Sequence, residues 1–382
     1  MGQTKEEIIK SAKGFEFYVS NIWPIHRVFV KSKLAKRCIK CAASEHMIPL
    51  LEDQICKECN KQMNYQNETD FDTSEDLKRF NEVLSNAQGI GRGQYDALVP
   101  YSGGKDSSYL IRRIQEEFPE LRILAFTVDN SFMSPVAKEN IDALLPKLNV
   151  DHLFVRPAED FYKKLFSYGI RNLNDAGGYG TVDFSDGEFM LDAARSIAAE
   201  KKIPLILCGY SKYQVINGLK FKSFEYPREL ESKDRTHVAG LPLSEFHNEK
   251  EIKLWWHGSQ YGESDRPRLL FPLYCWDLEE ETILREVRRM GLIQEKTMSP
   301  IVTNHLFIPL LGVVDVHKFG YSSYEHEFCR MIRDGKADLT HWRNTFEFLE
   351  YTSRNGMFVK NICIEMLNRV GLSLSDVGIN FS

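Results

Sequence analysis

The chain has 382 residues, 43% hydrophobic and 27% charged, which suits two or three domains with a sizeable core and excludes wholesale disorder. Lys plus Arg number 49 and Asp plus Glu 54, a formal net charge of −5, so bulk positive charge is not what would bring the chain to a partner, and no nucleic-acid partner is expected. The opening MGQTKEEIIKSAKG lacks the apolar core of a secretion signal, Glu6 stands where myristoylation needs Ser or Thr, and no apolar run approaches the ~18 residues that span a bilayer. A cytoplasmic protein without membrane insertion is the expectation.

Residues 1–36 are a basic, aromatic lead-in without an assignable motif. Residues 37–62 hold Cys38-x2-Cys41 and Cys56-x2-Cys59, with 14 residues between the pairs. In a reducing compartment two such knuckles point four thiolates at one ion, and a closed four-cysteine shell predicts a structural zinc. Residues 63–92 read as a polar linker with one helix near 74–86, started by Thr73-Ser74 and the acids Glu75 and Asp76.

From residue 93 to 215 short apolar runs (DALVP, RILAFTVD, DHLFV, IPLILCG) alternate with helical patterns at 107–117, 135–148, 159–168 and 187–200. That alternation predicts a doubly wound parallel α/β sheet. Residues 216–382 are expected to supply substrate-binding loops and a mostly helical C-terminal part, including the amphipathic stretch 277–291 and helix over 324–350.

The sharpest signal is Tyr101-Ser102-Gly103-Gly104-Lys105-Asp106-Ser107-Ser108, between the first strand and the first sheet-covering helix. Its glycines let successive backbone N–H groups face one anion, the helix start adds partial positive charge, and Lys105 adds a full one. Asp106 is placed to hold Mg²⁺ against phosphate. The spacing fits neither GxxxxGK[ST] nor GxGxxG.

This loop resembles the pyrophosphate loop of the N-type ATP pyrophosphatases. The resemblance runs on through 126–152, where Val128, Asp129 and Asn130 stand at the family's adenosine contacts, and through 203–214 with Gly209. Together with the cysteine segment, SPIVTNHLFIPLL (299–311) and HKFGYSSYEHEFCRMIRDGK (317–336) are similar to the N-acetyl sugar amidotransferases of surface-polysaccharide and flagellar-glycan synthesis. The resemblance implies the adenine nucleotide α-hydrolase-like fold. It also implies that ATP adenylates the acetamido oxygen of an N-acetylated, nucleotide-linked sugar, and that ammonia displaces AMP to give an acetamidino group. One departure is plain: relatives carry Cys-x-x-Cys between the third strand and the fourth helix, and here NDAGGYGTVDFSDGE has no cysteine.

The chain does not begin with the N-terminal Cys of a class II glutaminase, so ammonia is expected free or from a separate glutaminase subunit. The substrate is expected at the carboxyl ends of the strands. The candidates are Tyr210, Lys212, Tyr213, Arg228, Asp315, His317, Lys318, His326 and Glu327, with Glu225 and Tyr226 weaker. Asp183 and Asp186 are candidates for the general base. The alternative reading is an RNA-thiolating enzyme of the same superfamily, which would need a reactive cysteine near the ATP site. Only Cys208 stands at such a place.

Overall fold

The structure, a computed structural model, describes residues 5–62, 72–276, 278, 280–291 and 305–381. Linker residues 63–71 and positions 299–304 of the sugar-enzyme resemblance lie outside the described residues. The strands β1 (Ala97–Pro100), β2 (Ile123–Val128), β3 (Asp151–Val155) and β4 (Leu205–Leu207) are those read from the sequence; β5 (His237–Val238) and β6 (Leu241–Pro242) form a separate antiparallel hairpin. With β7 (Arg268–Leu270), the first four make one parallel sheet in the order β3-β2-β1-β4-β7.

The inner strands β1 and β4 are buried throughout, and β2 is buried except at Val128, as apolar runs covered on both faces should be. The chain winds outward from β1 through β2 to β3, then returns to β4 on the other side of β1. Right-handed crossovers therefore place the helices Lys105–Glu117 and Pro135–Leu148 on one face and Phe184–Glu200 on the other. The last of these packs on β1, β2 and β4. The reversal of direction at β1 and β4 opens a crevice at their carboxyl ends, where ligands of such sheets bind.

Two compact units result. The sheet unit comprises Thr69–Tyr162 and Phe184–Glu295; the helical unit comprises Met1–Glu68, Lys163–Asp183 and Lys296–Ser382. The sheet unit runs past the expected boundary at 215 because β7 is its fifth strand. That strand is three residues between Pro267 and Pro272, too short to show a periodicity.

In the helical unit the cysteine segment is not a free-standing module. Cys38, Cys41, Cys56 and Cys59 share one core with Cys329, Ile332 and Phe346 of the C-terminal helices. The lead-in is helical at Lys5–Phe17 and Trp23–Val30, and Phe15, Val19, Trp23 and Val30 close over Phe348 of the helix Leu339–Asn355. Buried Arg37 ties the two regions, donating to Glu325 at 2.7 and 3.2 Å and to Glu350 at 3.2 Å.

Segment 174–183 is held through Asp315 and Ser323. Fully buried Asp315 accepts the Gly178 N–H at 2.7 Å and the Ser323 N–H at 2.8 Å, and the Ser323 hydroxyl accepts the Tyr179 N–H at 3.0 Å. Gly177 has φ +68°, and a Cβ there would stand 2.7 Å from the Ser323 Cβ, so only glycine fits.

Burial pushes the Asp315 carboxyl up to about 6 despite these hydrogen bonds. A raised carboxyl stabilises the fold fully below its ordinary value of 3.8, and this contribution is lost as pH rises through about 6. The displacement corresponds to on the order of 3 kcal/mol. Thermal melts of wild type and Asp315→Asn between pH 4 and 7 should therefore show wild type losing ground to the variant as pH rises; a constant difference would contradict this.

Candidate functional site

The loop after β1 leaves the strand at Pro100 and turns at once. Gly103 has φ +71°, and a Cβ there would lie 2.7 Å from Ile141 Cγ1 and 3.2 Å from the Ala137 carbonyl oxygen. The turn is thus wedged against the helix Pro135–Leu148, which only glycine permits. Gly104 is the N-cap of the helix Lys105–Glu117, whose first-turn amides have no intrahelical acceptor.

Serines brace the bend. Ser102 Oγ accepts the Gly104 N–H at 3.3 Å, the Ser107 hydroxyl donates to the Gly104 carbonyl at 3.4 Å, and Ser108 Oγ lies 3.3 Å from the Tyr101 hydroxyl. Lys105 Nζ pairs with Asp106 at 2.7 Å, and the Asp106 side chain is 41% exposed. Its carboxylate is a hard oxygen donor at the loop's open side and fits a Mg²⁺ ion. Across the crevice, a Cβ on Gly209 would meet the Ser107 nitrogen at 3.7 Å, so the end of β4 lies against the loop.

The turns after β2 and β4 meet the start of the helix Phe184–Glu200. Asn130, past the end of β2, donates to Asp186 at 2.7 Å, and its own oxygen accepts the Phe132 N–H at 2.9 Å. Tyr210, past the end of β4, places its hydroxyl 2.7 Å from where a Gly187 Cβ would stand. Because β1 lies between β2 and β4, the pair Asp186-Gly187 bridges both flanks of the loop-bearing strand.

Burial pushes the Asp186 carboxyl up to about 6; hydrogen bonds from Asn130 and Tyr162 pull against it, and the charge of Asp129 adds to it. Asp129 is itself fully buried. Burial would raise its carboxyl, but Lys138 at 2.9 Å and Arg156 Nε at 2.9 Å outweigh this and hold it below the usual range. Its side chain is therefore committed to those cations.

The substrate candidates fall into three groups. Tyr210, Lys212 and Tyr213 follow β4, but Lys212 is buried, in a short helix closed by a Ser211–Gln214 capping box. Arg228 is at the wrong end of the sheet: its guanidinium donates to the Pro267 carbonyl at 2.8 Å and to those of Glu263 and Arg266 at 3.3 Å, just before β7 begins. Glu225 pairs with Arg268 at 2.7 Å, and Tyr226 lies against Arg195 at 4.7 Å.

Asp183, Asp315, His317, Lys318, His326 and Glu327 belong to the helical unit. There His317 Nε2 lies 2.8 Å from the Ser353 carbonyl oxygen, Lys318 donates to the Leu173 carbonyl at 3.3 Å, and His326 Nε2 lies 3.4 Å from the Tyr321 hydroxyl. The sequence reading missed Lys138, Arg156 and Tyr162. Arg156 directly follows β3, a position that the rule of strand carboxyl ends could have singled out.

The four cysteine sulfurs lie within 4.8 Å of one another, with Cys38–Cys59 at 3.7 Å and Cys41–Cys56 at 3.6 Å. Four thiolates about 2.3 Å from one tetrahedral ion stand about 3.8 Å apart, so the set fits a single ion. A four-iron cube, with one thiolate per iron, would hold them further apart. The amides of Lys40 and Cys56 donate to Cys38 Sγ at 3.4 and 3.3 Å, that of Cys59 donates to Cys56 Sγ at 3.4 Å, and Arg333 donates to Cys41 Sγ at 3.5 Å. Such donors offset thiolate charge around a metal.

No protein-family model matches the chain. Over 133 residues it is 27% identical to an uncharacterised protein of Methanocaldococcus jannaschii, a match covering 35% of this chain and 46% of that protein. The chain thus spans less than half the length of the curated relative it matches. Among solved structures it is similar to a U34-tRNA thiolase of Methanococcus maripaludis bearing a [4Fe-4S] cluster (13% identity, 91% of this chain and all of that one, TM-score 0.36). It is also similar to an NMN synthetase of Francisella tularensis (12%, 80% and 98%, 0.31) and an NH3-dependent NAD synthetase of Campylobacter jejuni (15%, 40% and 62%, 0.28). Within this chain, the parallel strand order β3-β2-β1-β4-β7 fixes the fold class: a doubly wound α/β sheet.

Two outcomes are expected. Gly103→Ala should weaken ATP binding by about tenfold or more in calorimetry, because the new methyl must displace Ile141 at a left-handed position; unchanged affinity would contradict the wedge. Elemental analysis should find about one metal ion per chain. Cys56→Ser should lose that ion and melt at a lower temperature, and a folded, metal-free wild type would remove the metal site.

Proposed function

We propose that the chain is an ATP-using enzyme that transfers the adenylyl group to a substrate oxygen and releases pyrophosphate. The observation that carries this reading is the left-handed Gly103 turn after β1, wedged against Ile141 and followed directly by Lys105 and the start of the helix Lys105–Glu117. On this reading Ser102–Ser108 bind the β- and γ-phosphates. Mg²⁺ on Asp106 would supply further neutralisation of phosphate charge. A zinc ion on Cys38, Cys41, Cys56 and Cys59 would be structural, since four thiolates leave no open position.

The finer reading is an N-acetyl sugar amidotransferase, supported by the resemblance of the loop, the cysteine segment and 317–336. An acetamido oxygen is a poor leaving group. Its attack on the α-phosphorus forms an O–P bond and breaks the bond to the β-phosphate oxygen, releasing pyrophosphate. Ammonia then adds to the activated carbon, loses a proton, and expels AMP to leave the acetamidino group. Asp186 suits the proton acceptor: it bridges the flanks of β1, and a carboxyl near pH 6 is mostly ionised at neutrality yet still basic. Asn130 and Tyr162 would orient it. Ammonia from a glutaminase partner belongs to the same proposal.

The RNA-thiolation alternative needs a reactive thiol in the sheet unit. Cys208 and Cys275 are buried there, and burial pushes both thiols up to about 12, far from the thiolate that such chemistry uses. This weighs against it.

The test is incubation with Mg-ATP, ammonium and UDP-linked acetamido sugars, with AMP and pyrophosphate measured. Sugar-dependent release of both supports the proposal; RNA-dependent release supports the alternative. Asp106→Ala should abolish turnover in protein that melts normally. Asp186→Asn should remove the rise in rate that wild type shows as pH increases through about 6; a variant keeping that rise would take the proton-accepting role from Asp186.

A further inference from the structure

The first helices carry large apolar side chains on both faces. In the helix Trp23–Val30 the inner face is buried Trp23 and Val30, with Arg27 donating to Glu347 at 2.6 and 2.7 Å. At 3.6 residues per turn, Ile22, Ile25 and Phe29 fall together on the opposite side. They are 39%, 68% and 80% exposed, with Val28 beside them at 70%. Contiguous exposed apolar patches of this kind mark interaction surfaces.

Charge identifies what covers this one. From Lys10 to Lys40 the sequence holds eight Lys and Arg against a single acid, Glu16, in a chain of net charge −5. Arg27 and Arg37 are tied to Glu347, Glu325 and Glu350. Lys10, Lys13, Lys31, Lys33, Lys36 and Lys40 are all exposed. Protein interfaces favour Arg, Tyr and Trp and are depleted in Lys, the reverse of this patch. Exposed Ile, Val and Phe beside lysines suit the headgroup layer of an anionic bilayer, which takes apolar side chains and attracts basic ones. No helix of the described residues is long and apolar enough to cross a membrane, so the contact is peripheral.

We propose that the outer face of the N-terminal helices docks on an anionic lipid bilayer. Ile22, Ile25, Val28 and Phe29 enter the headgroup region, and Lys31, Lys33 and Lys36 meet lipid phosphates. The inference does not depend on the ATP reading.

The experiment is co-sedimentation of the full chain with vesicles of phosphatidylglycerol and phosphatidylcholine, and with phosphatidylcholine alone. Binding should favour the anionic vesicles by about tenfold or more and weaken as salt is raised. Ile25→Ser with Phe29→Ser should abolish it, and Lys31→Glu with Lys33→Glu should reduce it, while metal content and melting temperature stay at wild-type values. No sedimentation with anionic vesicles overturns the proposal, as does sedimentation that both double variants leave intact. Self-association of the chain that Phe29→Ser abolishes, without vesicle binding, assigns the face to a second copy and also overturns it.

Discussion

A single steric fit organises the sheet unit: the left-handed turn at Gly103 pressed against Ala137 and Ile141. A side chain there would push the loop off the helix Pro135–Leu148 or force that helix from the sheet. With glycine, β1 can end abruptly and the next helix can start two residues later, at the carboxyl end of the sheet where ligands of such folds bind. Ser102 and Ser107 brace the turn through bonds to the loop's own backbone. Preorganised donors of this kind bind phosphate without having to be reorganised at the moment of reaction.

The carboxyl ends of the strands give opposite fates to two neighbouring acids. Asp129 and Asp186 are both withdrawn from water, but Asp129 faces Lys138 and Arg156 whereas Asp186 faces an amide and a hydroxyl. Cations make the first a fixed anion that organises the β2–β3 rim. Neutral donors leave the second able to take up and release a proton near neutrality. This contrast, rather than the sequence spacing of Asp183 and Asp186, is the reason for preferring Asp186.

What the sequence disclosed followed the strength of local rules. Four sheet strands, their order of alternation with helices and the glycine turn after β1 were legible because strand, turn and helix start are encoded by adjacent residues. The cysteine pairs were legible for the same reason, and their sulfurs do converge. β7 was not, since a three-residue strand carries no period. The shared core of the cysteine segment with Cys329 and Phe346 was hidden because it joins residues far apart in the chain. Arg228 misled for a related reason: it lies in the region that follows β4, but its guanidinium is used at the amino end of β7. The clamp of Asp315 on Gly178 likewise joins residues no motif connects.

ATP occupancy of the Gly103 turn is tested most directly by a crystal structure with α,β-methylene ATP and Mg²⁺, whose α,β linkage resists cleavage. The β- and γ-phosphates should lie on the amides between Gly103 and Ser107, with Lys105 turned from Asp106 toward them and the α-phosphorus facing the side of Asp186. Nucleotide bound elsewhere, or a turn that stays empty at saturating analogue, would contradict it.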